Sequence, residues 1–320
     1  MQDHETWHHQ NVHALFQLPF NDLLFHAHSV HRKHFNPNEV QVSTLLSIKT
    51  GLCPEDCKYC PQSVHHNAKV EKQPLMDVDT ILAAAKKAKA TGATRFCMGA
   101  GWRAPKDKDF EFLGDTIKKV KAMGLETCLT LGMLTEQQVS TLEKSGLDYY
   151  NHNIDTSPEY YEKIITTRKF QDRIETLKNV GRSNIKVCCG GIMGMGESLN
   201  DRVNFLLTLA QLEAPPESIP INSLIRVPGT PLANTPALDP IDFVRIIAVT
   251  RIMFPAAQVR LSAGRNEMSE STQALCFFAG ANSIHYGEKL LTTPTPSTLQ
   301  DDNMFAKLGL KKRAKDAVTA

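Results

Sequence analysis

The sequence predicts a (β/α)8 barrel of the TIM type with a helical extension before it. Eight apolar, β-type segments alternate with segments of helical period along most of the chain, and this alternation is typical of parallel α/β folds. Polar and thiol side chains also gather on or just after these segments, where barrel enzymes carry their active sites. Because strand count alone does not prove closure, an open doubly wound sheet is the alternative.

The elements follow from the pattern in chain order. Strands are predicted at 42–48, 94–99, 126–131, 148–153, 186–192, 219–225, 258–263 and 283–286. Helices are predicted at 78–91, 108–123, 136–145, 170–180, 199–212, 240–253 and 266–277. Asp77 before the first of these helices and Thr135 before the third are typical helix N-terminal residues. Residues 1–37 are predicted to form the helical extension, residues 38–310 the barrel and residues 311–320 a short C-terminal tail. The segment from Asp301 onward is interpreted as a solvated terminus.

Composition is that of an ordinary globular protein. The chain has 320 residues, of which 42% are hydrophobic and 22% charged, with a formal net charge of +2. No strong field therefore attracts it to nucleic acid or membrane. No apolar run approaches the roughly 20 residues of a membrane span, and the first residues lack the pattern of a signal peptide. We expect a cytoplasmic protein whose eight cysteines serve metal binding or catalysis rather than disulfides.

The most specific motif is CPEDCKYC, which runs from Cys53 through Cys57 to Cys60, directly after the first predicted strand. Three thiols are one ligand short of a tetrahedral zinc site and of the four irons of an iron–sulfur cube. The motif therefore predicts either a distant fourth ligand or an open coordination position. A zinc clip completed by a distant His or Cys is the alternative, although the sequence has no second compact Cys-x-x-Cys pair.

This motif, with Tyr59 before its last cysteine, resembles the signature of the radical S-adenosylmethionine (SAM) enzymes. The resemblance implies a [4Fe-4S] cluster on Cys53, Cys57 and Cys60, with S-adenosylmethionine at the fourth iron and Tyr59 beside it. One electron from the cluster then cleaves the sulfonium and yields a 5′-deoxyadenosyl radical. No side-chain base can open an unactivated C–H bond, so the cofactor supplies the reactivity while the protein positions it.

Three further cysteines, Cys97, Cys128 and Cys188, lie on three different predicted strands. A single cysteine in a strand is commonly a small buried hydrophobic residue. Three that converge inside one barrel, with Arg260 on another strand, indicate a second metal site instead. Cys189 points away from its neighbour along the strand, so we interpret it as a residue that takes no part in the site. Cys276 lies in an apolar helix, so we interpret it as a core residue.

These residues, together with YNHNIDT at 150–156 and PGTPL at 228–232, resemble the biotin synthase family over nearly the whole chain. The resemblance implies a sulfurtransferase that converts dethiobiotin to biotin by radical-mediated sulfur insertion. In it, Cys97, Cys128, Cys188 and Arg260 would ligate a [2Fe-2S] cluster that donates the sulfur. Arginine is a poor ligand on first principles, because its guanidinium stays protonated and has no free lone pair.

The same resemblance implies contacts to the organic ligands. S-adenosylmethionine would contact Tyr59, Asn153, Asp155, Arg173 and Gly191, and dethiobiotin would contact Asn151, Asn153, Asn222, Thr292 and Thr293. A carboxylate can accept hydrogen bonds from two ribose hydroxyls, and a carboxamide offers a donor and an acceptor to a ureido ring. Glycine would let the backbone approach the adenosyl group. The structural alternatives are an Asn151 that only braces the site, a solvated Arg173, and a simple turn at 292–293.

The resemblance also implies partners. It adds an electron-donor protein of the flavodoxin or ferredoxin type and a homodimer, with no nucleic acid and no membrane. Two other functions remain open from the sequence: a radical SAM enzyme with a different substrate, and a zinc-stabilised binding protein without catalysis. The second set of thiols argues against the first of these.

Overall fold

The computed structural model describes residues 7–287 and 289–314. Its centre is a parallel sheet of β1 (Glu39–Lys49), β2 (Arg95–Ala100), β3 (Glu126–Thr130), β4 (Tyr149–Asn151), β5 (Lys186–Cys188), β6 (Gly191–Met193), β7 (Ser218–Ser223), β8 (Gln258–Leu261) and β9 (Ser283–His285). β9 pairs back onto β1, with His285 opposite Ser43. β5 and β6 both pair with β7 and form one interrupted strand. The sheet is therefore a closed barrel with eight strand positions, which confirms the predicted fold and excludes the open sheet.

Helices follow most strands and cover the barrel. They are α1 (His9–Gln17), α2 (Phe20–His34), α3 (Val78–Ala90), α4 (Phe110–Ala122), α5 (Glu136–Lys144), α6 (Pro158–Ile164), α7 (Phe170–Gly181), α8 (Leu199–Ala210), α9 (Pro240–Met253), α10 (Glu270–Phe278) and α11 (Thr298–Leu308). The predicted caps are confirmed: Asp77 accepts from the Thr80 amide at 2.7 Å, and Thr135 accepts from the Gln138 amide at 3.3 Å. Such side-chain acceptors satisfy amides that have no partner inside the helix.

Two helices precede the barrel, where the sequence predicts helical structure. The connection between them is held by Arg245 of α9, whose Nη1 donates to the carbonyl oxygens of Phe16 at 3.2 Å and Leu18 at 2.8 Å. α2 packs along the same helix. Residues 1–6 of the predicted extension lie outside the described residues.

The prediction of a solvated terminus from Asp301 was wrong for the residues that the structure describes. Asp301 lies in α11, is 1% exposed, and its Oδ2 lies 3.2 Å from Nη1 of the buried Arg265. Beyond the helix, β12 (Lys311–Lys312) pairs in parallel with β1. The partners of this segment are distant in the sequence, so its charges alone suggested a solvated face. Residues 315–320 of the predicted tail lie outside the described residues.

The barrel interior and the loops after its strands enclose a cavity of about 320 Å³. Its walls are inward-facing strand residues, the loop after β1, the segment after β4, and a hairpin of β10 (Lys289–Leu290) and β11 (Thr293–Pro294). Because these loops follow the strands, the cavity lies where a barrel of this type places its active site.

None of the helices in the described part of the chain is long and apolar enough to span a membrane.

Candidate active site

The loop of residues 53–60, here the outer loop, leaves the end of β1 and forms one wall of the cavity. The Cys53 amide donates to the Gln62 carbonyl at 3.0 Å, and the Cys60 amide donates to the Cys57 carbonyl at 2.9 Å. Burial raises the pKa of the Cys57 and Cys60 thiols to about 12. These thiols stay protonated without metal, and metal binding releases their protons because the thiolate is the ligand.

The connection between α6 and α7 clamps the outer loop in place. Asp56 Oδ1 accepts from the backbone amides of Thr166 at 2.9 Å and Thr167 at 3.1 Å. Glu55, at 1% exposure, accepts from Thr167 Oγ1 at 2.6 Å and from Arg103 Nη1 at 2.7 Å. Both acidic residues between the first two cysteines therefore serve to hold the loop.

The second set of thiols, here the inner set, lies on barrel strands. Cys97 and Cys128 are opposite each other in register on β2 and β3, and Cys188 ends β5. All three are at most 3% exposed and belong to one contact cluster that lines the cavity. Hydrogen bonding with the Cys128 thiol, helped by the Arg260 guanidinium, lowers the pKa of Cys97 and of Cys188 and raises that of Cys128. The predicted convergence of these cysteines is confirmed.

Two buried arginines flank the inner set. Arg260, at 2% exposure, donates from Nε to Ser283 Oγ at 2.9 Å, and its other hydrogen bonds also go to neutral side chains. Arg95 pairs with Glu126 at 3.0 Å and acts on the Cys97 thiol. Sequence reasoning missed Arg95, although its spacing of two from Cys97 places both on the inward side of β2. The positive environment thus favours the thiolates of Cys97 and Cys188, whereas the hydrogen bonds with these two thiols raise the pKa of Cys128.

A buried polar group joins the outer loop to the opposite wall. Asn151 at the end of β4 and Asn153 and Asp155 after it all line the cavity, as predicted. Asp155 Oδ2 accepts from Tyr59 Oη at 2.7 Å and lies 2.6 Å from Nη2 of Arg173. Asp155 also has a φ of +69°, which non-glycine residues adopt uncommonly and which clusters at functional sites. Tyr59 therefore bonds to the wall rather than only packing in the loop.

Arg173 is buried, so its interpretation as a solvated helix residue was wrong. Its Nε donates to Tyr161 Oη at 2.8 Å, and Nη1 donates to the carbonyl of Asn153. With Asp155 on Nη2, each nitrogen of the guanidinium has one protein acceptor. Nη1 and Nη2 each carry a second N–H, and Arg173 lines the cavity, so a ligand carboxylate can still bond to it.

The carboxamide side chains that were predicted to contact the substrate differ in how many of their hydrogen-bonding groups already have a partner in the protein. Asn222 donates to the Gly191 carbonyl at 2.9 Å and accepts from the Ala263 amide at 3.0 Å, so both ends of its carboxamide are bonded. The Nδ2 of Asn151 lies 3.2 Å from Sγ of Cys188, so Asn151 contacts the inner set. Both side chains line the cavity and also brace its wall.

Gly191 lies behind the cavity wall. Among the described residues, its neighbour Ile192 lines the cavity and Gly191 does not. A Cβ at this position would lie 2.6 Å from the Asp155 carbonyl oxygen and 2.6 Å from a ring carbon of Phe205. Packing inside the protein therefore explains this glycine without an approaching ligand.

Thr292 and Thr293 lie at the rim of the cavity in the hairpin of β10 and β11, and both line the cavity. Thr293 Oγ1 donates to the Leu290 carbonyl at 3.2 Å, which stabilises the turn. The two threonines are thus both a turn and part of the cavity wall. Cys276 lies in the main hydrophobic core, as predicted, and Cys189 lies there too.

Three buried polar groups on the cavity wall were not predicted. Nε of Arg168, Nε2 of His152 and Nδ1 of His285 are buried and have no hydrogen-bond partner among the described residues. Buried polar atoms without partners are uncommon in proteins and need an explanation. Alternation suggested that His152 faces away from the site, and Arg168 lies in a connection without periodicity, so no sequence signal singled out either residue.

The donor chemistry fits iron–sulfur clusters. Three thiols on the outer loop and three on the strands line one cavity, and thiolates are the usual ligands of such clusters. In the part of the chain that the structure describes, no group of three or more His, Cys, Asp or Glu side chains is arranged to hold a metal ion. A cluster bonds its cysteines to different irons, so the cradle that it needs is wider than that for one ion.

Family models and relatives agree with this geometry. Residues 47–209 match the Radical SAM superfamily, and residues 220–311 match the Biotin and Thiamin Synthesis associated domain. Curated biotin synthases of Marinobacter nauticus and Cellvibrio japonicus are 59% and 60% identical, over 97% of this chain and 88% and 87% of their own lengths. The chain belongs to the biotin synthase family.

The biotin synthase of Methylococcus capsulatus is 59% identical over 95% of this chain and 94% of its own length. Biotin synthases are radical SAM enzymes that use a [4Fe-4S] cluster, a [2Fe-2S] cluster and S-adenosylmethionine, which confirms the predicted family and cofactors. Two solved structures share the fold. Methylornithine synthase is 17% identical with a TM-score of 0.80 over 97% of this chain and 95% of its own. The hydrogenase maturase HydG of Carboxydothermus hydrogenoformans is 16% identical with a TM-score of 0.81, over 97% and 76%.

Proposed function

We propose that this chain converts dethiobiotin to biotin by radical-mediated sulfur insertion, the last step of biotin biosynthesis. One observation carries the proposal: the outer loop and the inner set each bring three thiols to the same cavity. The outer thiols alone would suit many radical enzymes. The inner thiols add a second iron–sulfur site within the same enclosed space, as sulfur insertion requires.

Cys53, Cys57 and Cys60 would hold the [4Fe-4S] cluster, and Cys97, Cys128, Cys188 and Arg260 would hold the [2Fe-2S] cluster. When bound, these clusters and S-adenosylmethionine supply the radical that removes hydrogen from unactivated carbon and the sulfur that replaces it. The hydrogen bonds of Arg260 to neutral partners leave its charge available to the inner thiolates. Replacing Arg260 with Met and recording the visible spectrum tests its place in the set: loss of the [2Fe-2S] spectrum supports ligation.

Tyr59, Asn153, Asp155 and Arg173 would bind S-adenosylmethionine, whereas Gly191 lies behind the cavity wall. The Asp155 carboxylate is fixed by two neighbours, so it does not need to reorganise before it accepts hydrogen bonds from ribose hydroxyls. Because Arg173 pairs with Asp155 at 2.6 Å, we propose that it holds Asp155 in place, while its remaining N–H groups can meet the ligand carboxylate.

Dethiobiotin would lie between the two thiol sets, in contact with Asn151, Asn153, Asn222, Thr292 and Thr293. The carboxamides suit the ureido ring, and the threonine hydroxyls at the rim suit a carboxylate tail. Asn222 is braced at both ends, which fixes the orientation of the amide that a ligand meets. The hairpin of β10 and β11 lines this side of the cavity, and exclusion of water there would protect a reactive intermediate from side reactions.

The electron donor, the oligomeric state, the location and the domain division are proposals as well. We propose a flavodoxin or ferredoxin as the electron donor, a homodimer and a cytoplasmic location. We keep the division into a helical extension (1–37), a barrel (38–310) and a C-terminal tail (311–320). Cys53 and Cys60 are only half-buried, which supports electron transfer to the outer loop from a partner outside the barrel.

The function is tested with the full chain after anaerobic reconstitution with iron and sulfide. Dethiobiotin, S-adenosylmethionine and dithionite are added, and biotin and 5′-deoxyadenosine are measured by mass spectrometry. The proposal predicts biotin together with 5′-deoxyadenosine. Formation of 5′-deoxyadenosine without any biotin would indicate a radical enzyme with another substrate, and neither product together with bound zinc would indicate a binding protein.

A further inference from the structure

We infer that Arg168 acts electrostatically on the outer loop. Its buried guanidinium offsets the negative charge of the loop thiolates when they hold their cluster. By doing so it determines how readily that cluster accepts an electron. The inference rests on the proposed function, because it requires the cluster to be bound at Cys53, Cys57 and Cys60. It assigns a role to a residue that no sequence motif indicated.

The fold brings Arg168 to the outer loop through backbone contacts. Its neighbour Thr167 is bonded to the Asp56 carboxylate through the amide at 3.1 Å and through Oγ1 at 3.0 Å. The Lys58 amide donates to the carbonyl of Ile164 at 3.1 Å, at the start of the same connection. Arg168 is therefore fixed beside the loop even before its own side chain makes a contact, and that side chain is only 5% exposed.

The guanidinium of Arg168 makes few hydrogen bonds within the protein. Its Nε has no partner among the described residues, and its nearest carboxylate contact is Nη2 to Glu55 Oε1 at 3.5 Å. Glu55 has closer partners in Arg103 Nη1 at 2.7 Å and Thr167 Oγ1 at 2.6 Å. Because the Glu55 carboxylate already has these two closer partners, Arg168 is a buried cation that is incompletely paired and has an N–H donor without an acceptor. A buried charge that is incompletely paired is costly, so a further anionic partner accounts for its presence.

The outer loop supplies that anionic partner when it is loaded. Arg168 lines the cavity with Cys53 and Cys57. Arg173 pairs with Asp155 at 2.6 Å, whereas the carboxylate contact of Arg168 is at 3.5 Å. Of these two buried cations on the cavity wall, Arg168 is therefore the less fully paired.

The physical consequence is a change in reduction potential. Three thiolates make the loaded site negative, and each electron that enters adds a further negative charge in a partly dehydrated place. A nearby positive charge favours the reduced form there, because charges interact more strongly at low dielectric. Net charge and hydrogen bonds around the sulfurs are known determinants of cluster potential.

The test compares Arg168→Met, Arg168→Lys and Arg103→Met in the full chain after anaerobic reconstitution. Arg103 is the matched control, because it pairs with the same Glu55 but its side chain is 41% exposed. The signal of the reduced [4Fe-4S] cluster is followed by electron paramagnetic resonance during dithionite titration without S-adenosylmethionine. At a fixed solution potential we expect about a tenfold lower ratio of reduced to oxidised cluster in Arg168→Met, a shift of about 59 mV to more negative potential. Arg168→Lys should lie near wild type, and Arg103→Met should match it.

A wild-type midpoint in Arg168→Met, or an equal shift in Arg103→Met, contradicts the inference. If Arg168→Met loads no cluster while Arg168→Lys does, and both melt at the wild-type temperature without metal, the charge role is supported. If both variants fail to load and melt early, Arg168 is merely structural and the inference is wrong. Failure of the wild-type chain to bind a cluster contradicts the proposed function instead, so the two failures are distinguishable.

Discussion

The outer loop and the inner set face one cavity but are built in opposite ways. The outer thiols lie within a single loop, residues 53–60, whose path depends on contacts from the connection after α6. The inner thiols lie on separate strands, and register alone places Cys97 opposite Cys128. Sites on barrel strands are held more precisely than sites on loops. The outer loop can therefore adjust to an exchangeable ligand, whereas the inner set is fixed with the barrel.

The two regions also differ in their electrostatics. Burial raises the pKa of Cys57 and Cys60 in the outer loop. In the inner set, the Cys128 hydrogen bond and Arg260 lower the pKa of Cys188. The outer region thus relies on cations such as Arg168 to stabilise thiolates once they form, while the inner region favours thiolates at Cys97 and Cys188 but not at Cys128. The residues around each set of three thiols therefore give the two sets different pKa values, and these differences suit the two sets to different roles.

The largest expected effect comes from removing the outer thiols. Replacing Cys53, Cys57 and Cys60 with Ala should reduce S-adenosylmethionine cleavage to background, because no ligands remain for the cluster. The barrel should keep its fold, since these residues lie outside the main core. Production of 5′-deoxyadenosine by the reconstituted variant measures the effect, and cleavage at the wild-type rate would remove the loop from its proposed role.

Replacing a cysteine of the inner set should separate biotin formation from S-adenosylmethionine cleavage. Cys128→Ala should abolish biotin formation but leave S-adenosylmethionine cleavage intact, because the outer loop does not contact this residue through any strand pairing. Cys189→Ala is the control, since Cys189 is as fully buried but belongs to the core. It should cost about 1 kcal/mol of stability and little activity. Equal loss of biotin in both variants would show that burial, not ligation, matters here.

Asp155→Asn tests the bridge between the outer loop and the wall. We expect S-adenosylmethionine affinity to fall about tenfold to a hundredfold, because hydrogen bonds to a charged group contribute about 1.5–3 kcal/mol. Equilibrium binding to the reconstituted protein measures this. Asp301→Asn is the matched control, since Asp301 forms another buried pair, with Arg265. It should lower thermal stability and leave the affinity unchanged, and an unchanged affinity in Asp155→Asn would exclude Asp155 from the site.

The smallest effect is expected at the clamp of the outer loop. Burial favours the neutral form of Asp56, but hydrogen bonds from Thr166 and Thr167 hold its pKa at about 2, so the clamp is ionised at neutral pH. Asp56→Ala should speed loss of the outer cluster to a chelator several-fold, since each lost hydrogen bond is worth about 1 kcal/mol. The inner cluster should leave at the wild-type rate. Equal acceleration for both clusters would mean that the clamp supports the whole barrel.

Much of the barrel could be predicted because its strands are continuous apolar segments. The interruption between β5 and β6 could not, since it depends on a close approach: a Cβ at Gly190 would lie 1.9 Å from the Pro220 carbonyl oxygen. The same limit applies to the C-terminal segment. Asp301 is a charged residue in the sequence, and only the folded chain places Arg265 beside it.

The candidate site divides in the same way. The outer cysteines form a local motif, and the inner cysteines follow from strand alternation, so both sets could be predicted. The bond from Tyr59 to Asp155 joins residues 96 positions apart, and no spacing indicates it. Arg168 is hidden for the same reason, because its role depends on which neighbours satisfy Glu55. Long-range pairing of polar groups is therefore what the sequence does not reveal.

Iron and acid-labile sulfide analysis tests the central claim, that the two thiol sets hold separate clusters. The wild-type chain, a variant with Cys53, Cys57 and Cys60 replaced by Ala, and a variant with Cys97, Cys128 and Cys188 replaced by Ala are reconstituted anaerobically and desalted. We expect about six irons per wild-type chain, about two without the outer thiols and about four without the inner thiols, with matching sulfide. Zinc without sulfide, or the same iron loss in both variants, would contradict the account.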